Sequence, residues 1–206
     1  MKIIQPSVEV EEFDAMKMLC KIEQAGRTCY KSEAKITPDS TEKFIRNIIK
    51  RGHESVLEHE KISVRIICDR AVTHELVRHR IASYSQESTR YVDYAKELEV
   101  IEPCFWKNDL AKMEIWKTAM EDCEKRYQAL RGLLATPQEA RTILPNSLKT
   151  EIVVTMNLRA WRNFFQLRCD KAAHPQIREI AFMILREFVA MLPVVFDDII
   201  LREGKK

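Results

Sequence analysis

The spacing of apolar residues along the chain separates short strands from longer helices. Alternation of apolar and polar residues predicts a strand at residues 62–68, and a β-branched run predicts another at residues 151–156. Residues 1–10 form a further predicted strand. Apolar residues three and four positions apart predict the helices, which cover residues 11–26, 40–50, 109–134, 157–169 and 175–191.

Capping residues mark where several helices begin. Ser40 is placed to cap the helix at residues 40–50, and Asp69 to cap a short helix that ends near Arg80. Residues 136–139 (Thr-Pro-Gln-Glu) have the spacing of a capping box, with proline at the first helical position. The strand that precedes Asp69 therefore leads straight into a helix.

Glycine and proline mark where helices end. Gly26 and Gly52 are expected to stop the first two helices, and Pro193 the last long one. Residues 194–196 are then expected to form a final strand or a packed tail. Strands interleaved with long helices predict an α/β protein of the α+β type, in which a mixed sheet packs with long helices.

The composition fits one globular domain that spans residues 1–206. The hydrophobic fraction of 46% is enough for a substantial core, and 32% charged residues leave a formal net charge of only +3. Such a small excess argues against a general nucleic-acid-binding protein, which usually carries a strong basic excess. Any strongly basic surface of this chain is therefore confined to a short part of the sequence.

The chain carries no visible export or membrane signal. Residues 1–6 lack the apolar core and cleavage site of a signal peptide, and no stretch approaches the length of a membrane span. The six cysteines include no C-x-x-C pair, which favours reduced thiols. We therefore expect a cytoplasmic protein without a membrane partner.

Glycine is scarce, with only four in the chain. They form neither a G-x-G-x-x-G turn nor a P-loop. If a dinucleotide binds, it does so without a Rossmann fold.

Candidate chemistry concentrates in residues 78–91. An Arg-His-Arg run at residues 78–80 comes first, and Arg90 closes a stretch rich in hydroxyl, amide and acid groups. Apolar residues are nearly absent after Ile81, so burial cannot order this stretch. It is either a solvated loop behind a cationic helix end or a loop ordered around a ligand, and arginine forks suit a phosphate.

Two histidine patterns are similar to metal-binding motifs, but each of them lacks a ligand that a metal ion would need. Residues 53–59 contain two histidines without a third ligand, and their spacing fits no standard zinc pattern. Residues 74–78 (His-Glu-Leu-Val-Arg) resemble the zinc-protease helix but have arginine in place of its second histidine. We therefore expect no metal, and two surface histidines in a helix-to-strand connection remain an alternative for the first pattern.

Four separated patterns resemble those of one family. The Arg-His-Arg run, followed after seven residues by Ser88 and then by Arg90, resembles the signature of the flavin-dependent thymidylate synthases. We call residues 78–91 the signature segment. The other matches stand in the family's order and comprise His53, Ser55, Glu58 and His59, then Ala140 and Arg141, then Asn157, Arg159, Asn163 and Arg168.

The resemblance implies a fold and an activity. Members of the family have an α/β fold peculiar to them, which is not a Rossmann fold, and form homotetramers with active sites at subunit interfaces. They methylate dUMP reductively to dTMP, with 5,10-methylenetetrahydrofolate as one-carbon donor and NADPH as reductant acting through FAD. The implied protein is an FAD-dependent methyltransferase of dTMP biosynthesis, with these small molecules as partners and no nucleic acid.

The resemblance also implies a role for each matching residue. Contacts to FAD are expected from His53, Ser55, Arg78, His79, Arg80, Ile81, Asn157, Arg159 and Asn163, although Arg80 has a structural role as its alternative. Contacts to the nucleotide are expected from Glu75, Gln86, Glu87, Ser88, Arg90, Arg141 and Arg168. The catalytic candidates are Arg168, for negative charge developing on the uracil, and Ser88, as a substrate contact and not a covalent nucleophile.

Two positions depart from the family's pattern. Glu75 stands where an uncharged amide is expected, and Gln86 where many members have glutamate. A carboxylate near a phosphate repels it unless it faces an arginine. Because Glu75 precedes Arg78 and His79 by one helical turn, we expect it to orient these neighbours and not to act as a base.

Two other functional classes remain open. A nucleotide- or RNA-binding module that uses the signature segment would carry no flavin, and its nucleic-acid binding would depend steeply on salt. A hydrolase with Ser88 as nucleophile would need a G-x-S-x-G turn, which does not surround Ser88. The visible absorption of the purified protein distinguishes a flavin enzyme from these two alternatives, since neither of them would carry a flavin.

Overall fold

The computed structural model describes residues 1–203, which contain six strands, eight α-helices and three short 3-10 helices. The strands are β1 (Lys2–Ile4), β2 (Ser7–Val10), β3 (Lys61–Asp69), β4 (Ser83–Gln86), β5 (Glu99–Ile101) and β6 (Lys149–Asn157). The helices are α1 (Ala15–Thr28), α2 (Ser40–Lys50), α3 (Arg70–Leu76), α4 (Leu110–Gly132), α5 (Pro137–Ala140), α6 (Leu158–Arg168), α7 (Pro175–Met191) and α8 (Pro193–Glu203). None of these helices is long and apolar enough to cross a membrane.

The strands form two sheets. In the smaller one β1 pairs with β5 in parallel, so that residues 2–4 lie opposite residues 99–101. The larger sheet has the strand order β2-β3-β6-β4. Buried and more exposed residues alternate along β3 and β6, so each strand turns one face toward a core. The predicted α+β class is confirmed.

The chain divides into two units. The first contains residues 1–7, 66–78 and 84–153, and the second contains residues 8–65, 79–83 and the described residues from 154 onward. The signature segment passes from the first unit into the second and back.

The core of the second unit is aromatic. Trp161, Phe164 and Phe165 of α6 are fully buried together with Phe188 of α7 and Phe196 of α8. The ring centroids of Trp161 and Phe188 lie 5.2 Å apart, and those of Phe165 and Phe196 lie 5.7 Å apart, in edge-to-face contacts. These contacts pack three helices around one cluster.

Two of the predicted caps are confirmed. The side chain of Asp69 accepts a hydrogen bond from the backbone N–H of Val72 at 2.8 Å and caps α3. Residues 136–139 form the capping box at the start of α5. Gly52 also ends α2 as expected, with a φ of +71° and hydrogen bonds from residues 52 and 53 back to the last turn.

Two predicted helix boundaries are wrong. Asp39, not Ser40, occupies the cap position of α2, because the Ser40 hydroxyl is hydrogen-bonded to the buried carboxylate of Glu23. Helix α1 continues past Gly26 to Thr28. A Cβ at Gly26 would lie 2.5 Å from the ring of Phe44, so a larger residue there would require that ring to shift.

The predicted helix to Arg80 ends earlier. Helix α3 stops at Leu76, and Val77 follows as its C-cap, with a backbone N–H that donates to the carbonyls of Thr73 and Glu75. Residues 83–86 form β4 at the end of the larger sheet, where we expected an irregular loop. The strand pairing that orders them involves β6, which is distant in sequence.

The chain after Pro193 is helical. A strand or a packed tail was predicted at residues 194–196, but these residues lie in α8 and are buried. Proline is tolerated in the first turn of a helix, where its missing N–H has no partner to lose. Pro193 therefore begins a helix as well as following one.

A buried arginine connects three elements of the second unit. Arg162 on α6 is 1% exposed, and its guanidinium donates to Asp198 of α8 at 2.7 and 2.9 Å and to Glu54 at 3.1 Å. It also donates to the carbonyl of Val195. Because a buried charge is costly unless paired, this arrangement fixes α8 and the segment around Glu54 against α6.

We predict that Arg162→Met lowers the free energy of unfolding by about 3–5 kcal/mol, because it leaves the two carboxylates without their buried partner. Arg46 is a matched control: it also pairs with an acid of α8, Asp197, but its side chain is 46% exposed. Arg46→Met should cost about 1 kcal/mol or less. Urea unfolding followed by circular dichroism measures both, and equal losses would contradict the assignment to burial.

Candidate functional site

His53 and Ser55 line a cavity of about 630 Å³ in the second unit. The end of α1, helix α2 and the 3-10 helix Glu54–His59 provide its walls. Arg27, Lys35 and Arg51 bring positive charge to it, whereas none of its described lining residues is acidic. The cavity is therefore suited to an anionic ligand.

Only part of this charge is neutralised by the protein. Arg27 donates to the buried Glu23 at 2.7 Å and lies over the ring of Phe44. Burial opposes ionisation of Glu23, but hydrogen bonds from Arg27, Thr41 and Ser40 outweigh it and lower its pKa. Within residues 1–203, neither Lys35 nor Arg51 pairs with a carboxylate.

Ile81 and Asn157 line a second cavity of the same unit, with a volume of about 560 Å³. The Oδ1 atom of Asn157 accepts the N–H of Ala160 at 2.8 Å and caps α6. Its side chain therefore has a structural role in addition to the FAD contact that the family resemblance implies. Arg159 is hydrogen-bonded to Glu58 at 2.5 Å, and Glu58 lines this cavity too.

Arg168, the last residue of α6, is hydrogen-bonded to His79 of the signature segment. Arg168 Nε donates to His79 Nε2 at 3.0 Å, and the rings of His79 and Phe164 pack edge-to-face with their centroids 5.0 Å apart. A nitrogen that accepts a hydrogen bond carries no proton, so this imidazole is neutral. Burial and the charge of Arg168 lower the pKa of His79 to about 4.

Two further residues of the second unit that were expected to contact FAD lie at its surface. Asn163 follows Arg159 by one turn on the exposed side of α6, and Arg80 is exposed. Neither residue lines the cavities described above.

In the first unit, the signature segment is ordered by polar contacts. The Gln86 side chain donates to the hydroxyls of Thr73 and Thr150 at 3.1 and 3.2 Å. The Ser88 hydroxyl accepts the N–H of Arg90 at 3.3 Å, and the Ser88 carbonyl accepts two more N–H groups in a turn. This segment, which contains β4, is therefore ordered without large buried side chains.

Three of the arginines expected to bind a ligand are exposed: Arg78, expected to contact FAD, and Arg90 and Arg141, expected to contact the nucleotide. Arg78 and Arg90 donate no side-chain hydrogen bond within the described chain, although the Arg90 guanidinium lies over the Tyr91 ring. Arg141 makes one long hydrogen bond to Thr89, at 3.4 Å. Their donors remain for a ligand, and guanidinium forks suit phosphate oxygens.

The two glutamates of the predicted substrate set lie closer to the core. Glu75 is half-buried on α3, and its carbonyl accepts the N–H of Arg78 at 3.2 Å. Both carboxylate oxygens of Glu87 bond to side chains of the first unit.

The sequence patterns did not identify several residues of these sites. Lys35 and Arg51 line the first cavity, and Lys149 pairs with Glu87. The one available signal was the cluster of basic residues just before Gly52. The sequence gives no spacing rule for Lys149, because its pairing depends on the neighbouring strand.

Comparisons with known proteins identify one family. A family model described as thymidylate synthase complementing protein matches residues 14–194. The flavin-dependent thymidylate synthases of Mycolicibacterium gilvum and Mycobacterium tuberculosis are each 38% identical over 195 residues, which cover 86% of this chain and 78% of each relative. The enzyme of Mycobacterium sp. (strain JLS) is 37% identical over 209 residues, with 91% and 82% covered.

A solved structure shares the fold. The UMP/dUMP methylase PolB from Streptomyces cacaoi, bound with 5-Br dUMP, superposes with a TM-score of 0.80 over 96% of both chains, at 24% identity. The expectation of a family-specific fold that is not a Rossmann fold is confirmed.

The contact between His79 and Arg168 predicts how stability depends on pH. The unfolded chain takes up a proton at His79 near pH 6.5, whereas the folded chain does so only near pH 4. Stability from this contact is therefore complete above pH 6.5 and is lost as the pH falls from 6.5 to 4. Allowing for partial exposure, the loss should be about 1–2 kcal/mol.

The measurement is the difference in free energy of unfolding between the wild type and His79→Gln at several pH values. This difference should shrink as the pH falls through the stated window. His59→Gln, at an exposed histidine, serves as the control. A difference for His79→Gln that stays constant with pH would contradict the role of the contact.

Proposed function

The chain belongs to the flavin-dependent thymidylate synthase family, and from this premise we propose that it methylates dUMP reductively to dTMP. In this proposal 5,10-methylenetetrahydrofolate is the one-carbon donor, and NADPH is the reductant that acts through FAD. The enzyme is then a methyltransferase of dTMP biosynthesis.

The observation that supports the proposal in this chain is a set of exposed arginines without carboxylate partners. Arg78, Arg90 and Arg141 have guanidinium groups that the described chain leaves without a carboxylate partner. Exposed arginines without partners can surround a dianionic phosphate, and each charge-assisted fork adds affinity and orientation. We assign Arg90 and Arg141 to the dUMP phosphate and Arg78 to the FAD pyrophosphate.

The chemistry of the available donors fits FAD. The cavity at His53 and Ser55 has cations and no described acid, which suits phosphate groups, and the cavity at Ile81 and Asn157 offers an apolar and an amide group. Arg159 and Asn163 complete the expected set on α6, and Arg80 follows in the signature segment. When bound, FAD supplies the redox step between NADPH and the one-carbon unit.

The protein positions the substrate and stabilises charge. We assign to Arg168 the stabilisation of negative charge that develops on the uracil ring. His79 accepts the hydrogen bond of Arg168 Nε and therefore orients this guanidinium without adding a second charge. Gln86 and Ser88 contact the nucleotide, and Glu75 orients the arginine one turn beyond it.

We also propose a homotetramer with active sites at subunit interfaces, located in the cytoplasm. Support comes from α4 and the turn after it, where Leu110, Ile115, Leu133 and Leu134 are largely exposed. Apolar side chains in such numbers are typical of a surface that another copy covers. The six cysteines are all free thiols, as is usual in the cytoplasm.

The test uses the purified protein reconstituted with FAD. We expect flavin absorption in the visible, a tetrameric mass by light scattering, and dTMP formation that requires the folate and NADPH. Arg90→Ala should weaken dUMP binding roughly ten- to a hundredfold, whereas Arg186→Ala on the exposed side of α7 should not. A protein that stays colourless and binds RNA with a steep salt dependence would instead be a nucleic-acid-binding module.

Ser88 should behave as a substrate contact. Within the described chain its hydroxyl is bonded only to a backbone N–H, so no base activates it as a nucleophile. Ser88→Ala should retain turnover within about a thousandfold of the wild type under saturating substrates, whereas loss of a nucleophile costs on the order of a millionfold. A covalent nucleotide adduct on Ser88, detected by mass spectrometry, would overturn this role.

A further inference from the structure

The carboxylate of Glu87 is bonded on both oxygens within the first unit. Its Oε1 accepts a hydrogen bond from the Tyr94 hydroxyl at 2.7 Å, and its Oε2 lies 2.9 Å from Lys149 Nζ. The side chains of Glu87 and Lys149 are only 14% and 17% exposed. Each oxygen of Glu87 therefore already has a partner within the protein, and the negative charge of Glu87 would repel a phosphate.

The two partners of Glu87 come from different parts of the chain. Lys149 begins β6, and Tyr94 lies beyond the signature segment, buried against Tyr127 at a ring-centroid distance of 6.0 Å. Burial and the neighbouring carboxylate raise the pKa of Tyr94, so its hydroxyl remains a donor. Glu87 thus joins the segment to a strand and to a packed aromatic pair.

The backbone next to Glu87 is fixed as well. The N–H of Glu87 donates to the carbonyl of Glu151 at 2.8 Å, and Gln86 is held by two buried threonines. The turn that follows begins at Ser88, and Arg90 lies within it with its guanidinium exposed. The position of Ser88 and Arg90 therefore depends on the contacts of the two residues before them.

Stability alone does not explain a charged pair at this place. A partly buried ion pair loses hydration of both ions, and apolar residues of similar size often stabilise a protein as well or better. What an ion pair adds is a defined geometry, since its attraction and its hydrogen bonds have one best arrangement. That property suits a loop with few apolar side chains to order it.

We propose that Glu87, Tyr94 and Lys149 are positioning residues for the nucleotide phosphate. They fix the backbone that presents Ser88 and Arg90, and Glu87 does not itself contact the nucleotide, in contrast to the role implied by the family resemblance. This inference rests on the proposed function, because it takes the dUMP phosphate as the ligand.

Two substitutions test the proposal in the FAD-loaded enzyme. Glu87→Gln keeps the size of the side chain and removes its charge, and Tyr94→Phe removes one hydroxyl. We expect the Kd for dUMP, measured by equilibrium dialysis, to rise about tenfold and several-fold respectively, since both changes loosen the phosphate-binding loop. KM for dUMP should rise in parallel, while FAD content and kcat at saturating dUMP stay near the wild-type values.

Two controls test whether the effect on dUMP binding comes from the position of this ion pair and not from the loss of any ion pair. Glu99→Gln breaks the exposed pair with Lys2 in the same unit, which has an N–O distance of 3.0 Å, and should leave dUMP binding unchanged. The exchange of charges in Glu87→Lys with Lys149→Glu should bind dUMP better than either single change, because it restores an ion pair across the same gap.

Several results would overturn the proposal. Unchanged dUMP affinity in both Glu87→Gln and Tyr94→Phe would show that the cluster does not position the phosphate site. A parallel loss of FAD binding would show a general structural role, and a fall in kcat at unchanged KM would place Glu87 in the chemistry. A wild-type enzyme that binds FAD but no dUMP would refute the proposed function itself.

Discussion

The second unit depends on the neutralisation of one buried charge. Arg162 is almost fully buried, and its guanidinium is compensated by Asp198 of α8 and by Glu54. Since an unpaired charge there would cost several kcal/mol, the three elements that supply these groups are tied to one arrangement. Glu54 stands between His53 and Ser55, so the interaction also fixes the wall of the cationic cavity.

Arginines in this protein fall into two groups by what surrounds them. Arg27 and Arg162 are bonded to carboxylates of their own unit and stabilise its packing. Arg78 and Arg90 have no such partner in the described residues. The net charge of +3 conceals this division, because a sum over the chain does not separate paired cations from unpaired ones.

The signature segment shows how a loop becomes ordered without a hydrophobic core. Hydrogen bonds that Gln86 donates and that Glu87 and Ser88 accept replace apolar burial, and they leave exposed side chains such as Arg90 free to meet a ligand. Hydrogen bonds order the loop through their preferred geometry, whereas apolar burial would order it through the area of contact. A binding loop benefits from this arrangement, since the ligand meets donors that already have their positions.

The sequence by itself determined the features that depend on nearby residues. Periodicity located β3, β6, α4 and α7, and local side-chain bonds set the caps at Asp69 and at residues 136–139. The family motifs selected the candidate ligands, although not which partners each would have inside the protein. Tertiary structure alone decided that α3 ends at Leu76, that residues 83–86 pair as a strand, and that Glu87 meets a lysine 62 positions away. The physical reason is range: caps and periodic faces form between residues a few positions apart, whereas strand pairing and buried ion pairs join groups that only the folded chain brings together.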